Sequence, residues 1–169
     1  MTGVLAWGVK RSLVSYATSA PGGQLLTTKD VKWEDGAFKF PLSVPSADGE
    51  NGGEAGGGEA GSGEAGGGDR ESYDFDGTVR FHGHFGMLVA ELSALRIARG
   101  ENGWTLSFAD GETRVEAFTL DGEPERTGKS GDTPERLAWE NVSITAAGSE
   151  VFGDHYPSGT LFDPLSIVF

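Results

Sequence analysis

The sequence predicts an all-β domain, antiparallel and sandwich-like, with one or two short helices. Apolar residues alternate with polar ones in short runs, as in Phe38, Phe40 and Leu42 or Trp104, Leu106 and Phe108. Clusters of turn-forming residues, such as "GENG" at 100–103 and "ADGE" at 109–112, separate those runs. One stretch, from Arg11 to the breaker Pro21-Gly22-Gly23, has the spacing of a short helix.

Each element follows in order. Leu5, Trp7 and Val9 alternate with Ala6 and Gly8, which suits a strand. In the helix from Arg11, Ser12 and Tyr16 are four residues apart and share a face. On the residues alone, Tyr16 closes the core with its ring and keeps its hydroxyl in water. Phe38, Phe40, Leu42 and Val44 form the next alternation, where Pro41 favours an edge strand. Tyr73, Phe75, Val79, Phe81 and Phe85 form another; Leu88, Ala90 and Leu92, then Leu95 and Ile97, continue it. Beyond the "GENG" turn come Trp104, Leu106 and Phe108. After "ADGE" come Val115 and Ala117 and, following a slip in phase, Phe118 and Leu120. Trp139, Val142 and Ile144 complete the series.

At 169 residues and 17.7 kDa the chain is the size of one domain, expected to span 1–169. Residues 48–69, "DGENGGEAGGGEAGSGEAGGGD", contain no large apolar side chain and repeat Gly-Glu-Ala-Gly from positions 53, 58 and 63. That composition predicts a flexible acidic insertion within the domain. A formal net charge of −13 argues against nucleic acid and anionic lipid as partners, since both require clustered Lys and Arg. The absence of cysteine rules out disulfides, thiolate-bound zinc and a thiol nucleophile. The N-terminus shows no signal peptide and no apolar run has membrane-spanning length.

The stretch Phe81-His82-Gly83-His84-Phe85-Gly86 holds two of the three histidines. Strand alternation places His82 and His84 on one face, opposite Phe81 and Phe85. A zinc site requires at least three protein ligands, and the remaining histidine, His155, is far off in "FGDHYPSG". Solvated or hydrogen-bonded imidazoles account for the pattern better than a zinc site does. No GxSxG elbow, P-loop or dinucleotide fingerprint occurs, so no enzyme chemistry is visible. Among the carboxylates, Glu135/Glu140 and Asp110/Glu112 read as surface charge and turns.

Taken together, "LAWGVKRSLVSY" with "APGG", "GTVRFHGHFGML" with "LSALRI", and the terminal "GSEVFGDHYPSGTLFDPLSIVF" resemble the HtaA-type haem-transport-associated domain of actinobacterial surface proteins. The resemblance runs from near Trp7 to Pro164, interrupted by the Gly/Glu insertion. It implies a β-rich, secreted or cell-surface protein that captures ferric haem b and passes it on without turnover. Its partners would be haem-donating host proteins and other haem-uptake proteins, and a haem-mediated dimer is compatible with it. By position, the resemblance makes Tyr16 the axial ligand of the iron and His84, not His82, the histidine that hydrogen-bonds to it. It places Ser12 near a propionate and sets His155-Tyr156 on the family's terminal aromatic pair. The family commonly has Phe where this chain has His155, which opens a hydrogen-bonding or second nitrogen-ligand role there.

The chemistry is consistent: tyrosine is an established haem ligand. Ionising an ordinary tyrosine at pH 7 costs about 4 kcal/mol, which bound iron and a hydrogen-bond donor can offset. Phe85, Met87, Leu88 and Phe162 are candidates for the apolar wall. Ser12 and the Tyr156 hydroxyl, with Lys10 or Arg11, are candidate propionate donors. The alternative is a surface β-module for protein or glycan adhesion that takes up no haem and uses the same aromatics as core.

Overall fold

A computed structural model describes residues 3–28, 30–43, 71–128 and 134–169. The insertion expected at 48–69, and Val44 with it, lie outside the described residues. In chain order the elements are β1 (Val4–Trp7), α1 (Arg11–Ser19), β2 (Gln24–Thr27), β3 (Lys32–Glu34) and β4 (Ala37–Pro41). Then come β5 (Ser72–Asp74), β6 (Thr78–His82), a 3-10 turn (His84–Gly86), β7 (Leu88–Ser93) and β8 (Arg96–Gly100). The second half holds β9 (Gly103–Asp110), β10 (Thr113–Leu120), β11 (Glu125–Thr127), β12 (Arg136–Trp139) and β13 (Val142–Ile144). The chain finishes with α2 (Ala146–Val151), β14 (Leu161–Phe162) and β15 (Leu165–Val168). The protein is thus β-rich, antiparallel and two-helical among the described residues, as its alternating pattern predicts.

Two six-stranded sheets, ordered β11-β12-β15-β1-β4-β3 and β14-β13-β10-β9-β8-β5, pack against each other. A three-stranded sheet, β2-β6-β7, adjoins them. The core lies where aromatic rings bridge the layers. Trp7 of β1 meets Phe118 of β10 edge-on at 5.1 Å, and Trp104 of β9 meets Trp139 of β12 at the same distance. Phe38 of β4 joins the small sheet through Phe81 of β6 at 5.9 Å. All six rings are buried, so each side chain contributes several kcal/mol that truncation would remove.

Three local readings change. β4 is not an edge strand, since β1 and β3 flank it. Pro41 is tolerated because donors alternate sides along a strand. Leu42 N–H faces β1 and bonds to Gly3 O, so Pro41's missing donor faces the other way, past the end of β3. Trp139 and Val142 do not share a strand: β12 belongs to one large sheet and β13 to the other. The slip in phase near Ala117 is a β-bulge between Glu116 and Phe118, which keeps Ala117, Phe118 and Leu120 all buried.

What positions the site is the route of α1. It carries the chain from β1 in a large sheet to β2 in the small one, burying Leu13 and Ala17 and leaving Ser12 and Tyr16 outward. β2 pairs with β6 so that Gln24 lies opposite His82. The loop that follows His82 is therefore delivered to the C-terminal end of α1.

Candidate functional site

Tyr16 stands 43% exposed on α1, so its ring does not close the core. Its hydroxyl oxygen accepts the backbone N–H of His84 at 3.1 Å. The expected pairing of Tyr16 with position 84 is thus present in space, made by the main chain; the imidazole of His84 instead packs edge-on against Phe85 at 4.6 Å.

The loop from Gly83 to Met87 is tightly bonded. Gly83 N–H donates to Met87 O at 2.8 Å, Gly86 N–H to Gly83 O at 3.0 Å, and Phe85 N–H to Pro21 O at 3.0 Å. The last of these ties the loop to the turn that ends α1. At that turn Gly22 has φ +81°, and a Cβ there would stand 3.0 Å from the backbone of Phe85 and Gly86. Loop and helix end therefore form one clasp around the Tyr16 hydroxyl.

The two histidines do not share a face. The register shifts between Phe81 and His82, the strand ends, and His84 opens the 3-10 turn. His82 turns its Nδ1 to Gly86 O at 3.1 Å. A carbonyl only accepts, so Nδ1 donates, and Nε2 is left buried without a partner among the described residues. Phe85, expected inward with Phe81, has φ +58° and is 83% exposed, because the turn throws it off the strand. With Met87 (70% exposed) and Leu88 (55%) it forms an apolar surface continuing from the loop that holds Tyr16.

One turn up α1, Ser12 lies beside Tyr156, from the loop after α2. Burial pushes the Tyr156 phenol above the ordinary tyrosine value, and the Ser12 hydroxyl works the other way. Lys10 Nζ donates to Leu161 O at 2.9 Å and sits 5.8 Å from the centroid of the Tyr156 ring. Ser149 Oγ donates to Tyr156 O at 2.6 Å, anchoring this loop to α2. Ser12, Tyr16, Tyr156 and Lys10 are thus brought together by one helix and its approach.

Other candidates fall elsewhere. His155 is exposed, with its ring folded back over Gly153, in a turn where Asp154 has φ +62°. Phe162 is a core residue, 4.8 Å from the Phe118 ring, while its neighbour Leu161 takes the exposed side of β14. Arg11 lines a cavity of about 480 Å³ on a different flank of α1, with Val14, Ser15, Trp33 and Asp163. Leu161 and Gly83 were not evident from sequence: a two-residue strand is too short to show alternation, and a glycine gives no sign of what its missing side chain would strike. No group of three or more His, Asp or Glu suited to a metal occurs among the described residues. No described helix is long and apolar enough to cross a membrane.

Comparison with known proteins bears on the whole of this arrangement. A search of curated proteins finds no match. The C-terminal domain of HtaA from Corynebacterium glutamicum has a similar solved structure, with TM-score 0.65 and 22% identity over 99% of this chain and 95% of that one. The N-terminal domain of the same protein gives 0.58 and 16%, over 99% and 96%. The heme binding protein HtaB from that organism gives 0.53 and 15%, over 99% and 91%. At such identities these likenesses establish the fold. The sequence model of the family described as Htaa matches residues 2–168, nearly the full length, and the chain therefore belongs to the HtaA family.

Proposed function

We propose that this chain is a single-domain haem-binding module, spanning 1–169, that takes up ferric haem b through the Tyr16 phenolate and passes it on in haem acquisition. Three things support the reading: family membership, the description of the similar HtaB structure as a heme binding protein, and the surface around α1. The observation that carries it is the exposed Tyr16 hydroxyl, whose oxygen is held by a main-chain donor beside the outward Phe85, Met87 and Leu88.

The residues fit the ligand. Porphyrin has a broad apolar body, which the exposed loop side chains can cover, and two carboxylates, which require donors. Ser12 and Tyr156 supply hydroxyls, and Lys10 supplies a local positive charge against the acidity of the whole chain. Ferric iron, when bound, stabilises the ionised phenol. The His84 N–H already reaches the phenol oxygen, and the His84 imidazole, which packs on Phe85 in the haem-free chain, is the proposed second donor once haem binds. His155, exposed next to Tyr156, is proposed as a hydrogen-bonding or second nitrogen-ligand group. Haem-donating host proteins and other haem-uptake proteins are the proposed partners, at the cell surface or in secreted form, with a haem-mediated dimer as one route for transfer.

Titration with haemin tests the reading. A saturable Soret-region change with tyrosinate character at one equivalent is expected, and Tyr16→Ala should abolish that character. A wild-type spectrum in Tyr16→Ala removes the axial assignment. Absence of any saturable change in the native chain removes haem altogether and leaves the adhesion module.

A further inference from the structure

A Cβ built on Gly83 would stand 2.5 Å from Tyr16 Cε1, 2.9 Å from its hydroxyl oxygen and 3.0 Å from Cζ. Real side chains do not occupy such distances, so either the ring or the loop must move. The φ of Gly83, −103°, is negative, so no left-handed backbone accounts for the glycine. The close contact is with Tyr16. The next residue's N–H is the one that reaches the phenol oxygen, at 3.1 Å. The missing side chain therefore lets the main chain lie flat against the ring and present that donor.

We infer that Gly83 is the positioning residue of the site: it holds the His84 amide against the Tyr16 oxygen, giving the phenolate a fixed main-chain donor. The inference rests on the reading of Tyr16 as the iron ligand. A main-chain donor stays in place whatever side chain position 84 carries. It also means that His84→Ala, which keeps the amide, weakens the site without abolishing tyrosinate ligation.

The test begins with the haem-free protein. Tyr16→Phe keeps the ring and removes the acceptor, so the His84 amide proton should shift upfield and exchange faster with solvent. Gly83→Ala should do the same by displacing the ring. In haemin titrations Gly83→Ala should bind about 10–100-fold more weakly, the usual cost of losing a group that orients a metal ligand, with a shifted iron–phenolate stretch. Gly83→Ala should also lower Tm in the native chain and cost less in a Tyr16→Ala background, because the three atoms nearest that methyl all belong to Tyr16. An unchanged His84 amide in Tyr16→Phe overturns the inference, as does native haemin affinity and spectrum in Gly83→Ala. If the amide responds but Tyr16→Phe leaves the haemin spectrum intact, the clasp exists and the iron ligand lies elsewhere, which overturns the ligand reading and the positioning role with it.

Discussion

Phe85 combines two unfavourable features, a left-handed backbone at φ +58° and a ring left 83% exposed. A bulky residue in that conformation costs about 1–3 kcal/mol, and burial of the ring gives little back in the isolated protein. Its backbone is held by the bond to Pro21 O and by the close packing of Gly22. Asparagine accepts the left-handed region far better. Phe85→Asn should therefore raise Tm by about 2–4 °C, the shift expected for roughly 1 kcal/mol in a chain of this size, while weakening haemin binding through loss of apolar cover. Calorimetry and titration on one preparation read both effects; a variant less stable than the native chain would mean that the ring contributes to the fold. This residue also marks where pattern reading failed. Alternation from Phe81 predicts Phe85 inward and His82 beside His84, but period two holds only while the strand continues. The register shift after Phe81 and the turn at Gly83 end it, and neither has an unambiguous sign in "FHGHFG".

Among the elements, α2 shows how a six-residue helix can matter more than its length suggests. Thr145 caps it, accepting Gly148 N–H at 3.0 Å, and donates to Glu116 O at 2.7 Å, next to the bulge in β10. Gly148 lies so close to β10 that a Cβ would meet Ala117 O at 2.3 Å. Ser149 then holds the Tyr156 loop. Gly148→Ala should lift the helix off the bulge and cost about 1–3 kcal/mol, typical of overpacking, whereas Thr145→Ala should cost about 1 kcal/mol from the lost cap. Urea unfolding separates the two, and a Gly148→Ala chain as stable as the native one would disprove the contact. Most strands on the β8–β10 side were legible because they are long and bounded by glycine turns. The slip near Ala117 was legible too, since a bulge leaves its trace as a break in period. The short strands β2, β3, β11 and β14 were not, because two to four residues carry no period. β15 went unread as well: Leu165, Ser166 and Ile167 are all buried between β1 and β12, and four residues are too few to establish a period.

For the whole molecule, the arrangement of sheets explains why Tyr16 and the Gly83–Met87 loop meet although they lie nearly seventy residues apart. α1 bridges from one large sheet to the small one, and β2-β6 pairing fixes the loop against its end. The family resemblance identified the two partners; pattern and spacing alone could not, because the meeting depends on strand order. The same packing sets a limit on stability at high pH. Tyr73, stacked on Trp104 at 6.4 Å and close to Phe169, has its phenol pushed up by burial and then by the Glu71 carboxylate, against the pull of Arg126. Burial likewise raises Tyr156. Both folded-state values therefore lie above the unfolded value of about 10. Below that pH both states keep the protons and stability is indifferent to them. Above it the unfolded chain releases protons first, so stability falls as pH climbs through the folded values. The accumulated negative charge of an already acidic chain works in the same direction. Tm should accordingly hold steady to about pH 9.5 and then decline. Tyr73→Phe, which keeps the ring stacked and removes the titrating group, should flatten that decline, as should Tyr156→Phe. Thermal scans across the alkaline range decide it: a decline unchanged in both variants would assign alkaline unfolding to general charge repulsion instead of to these two half-buried phenols.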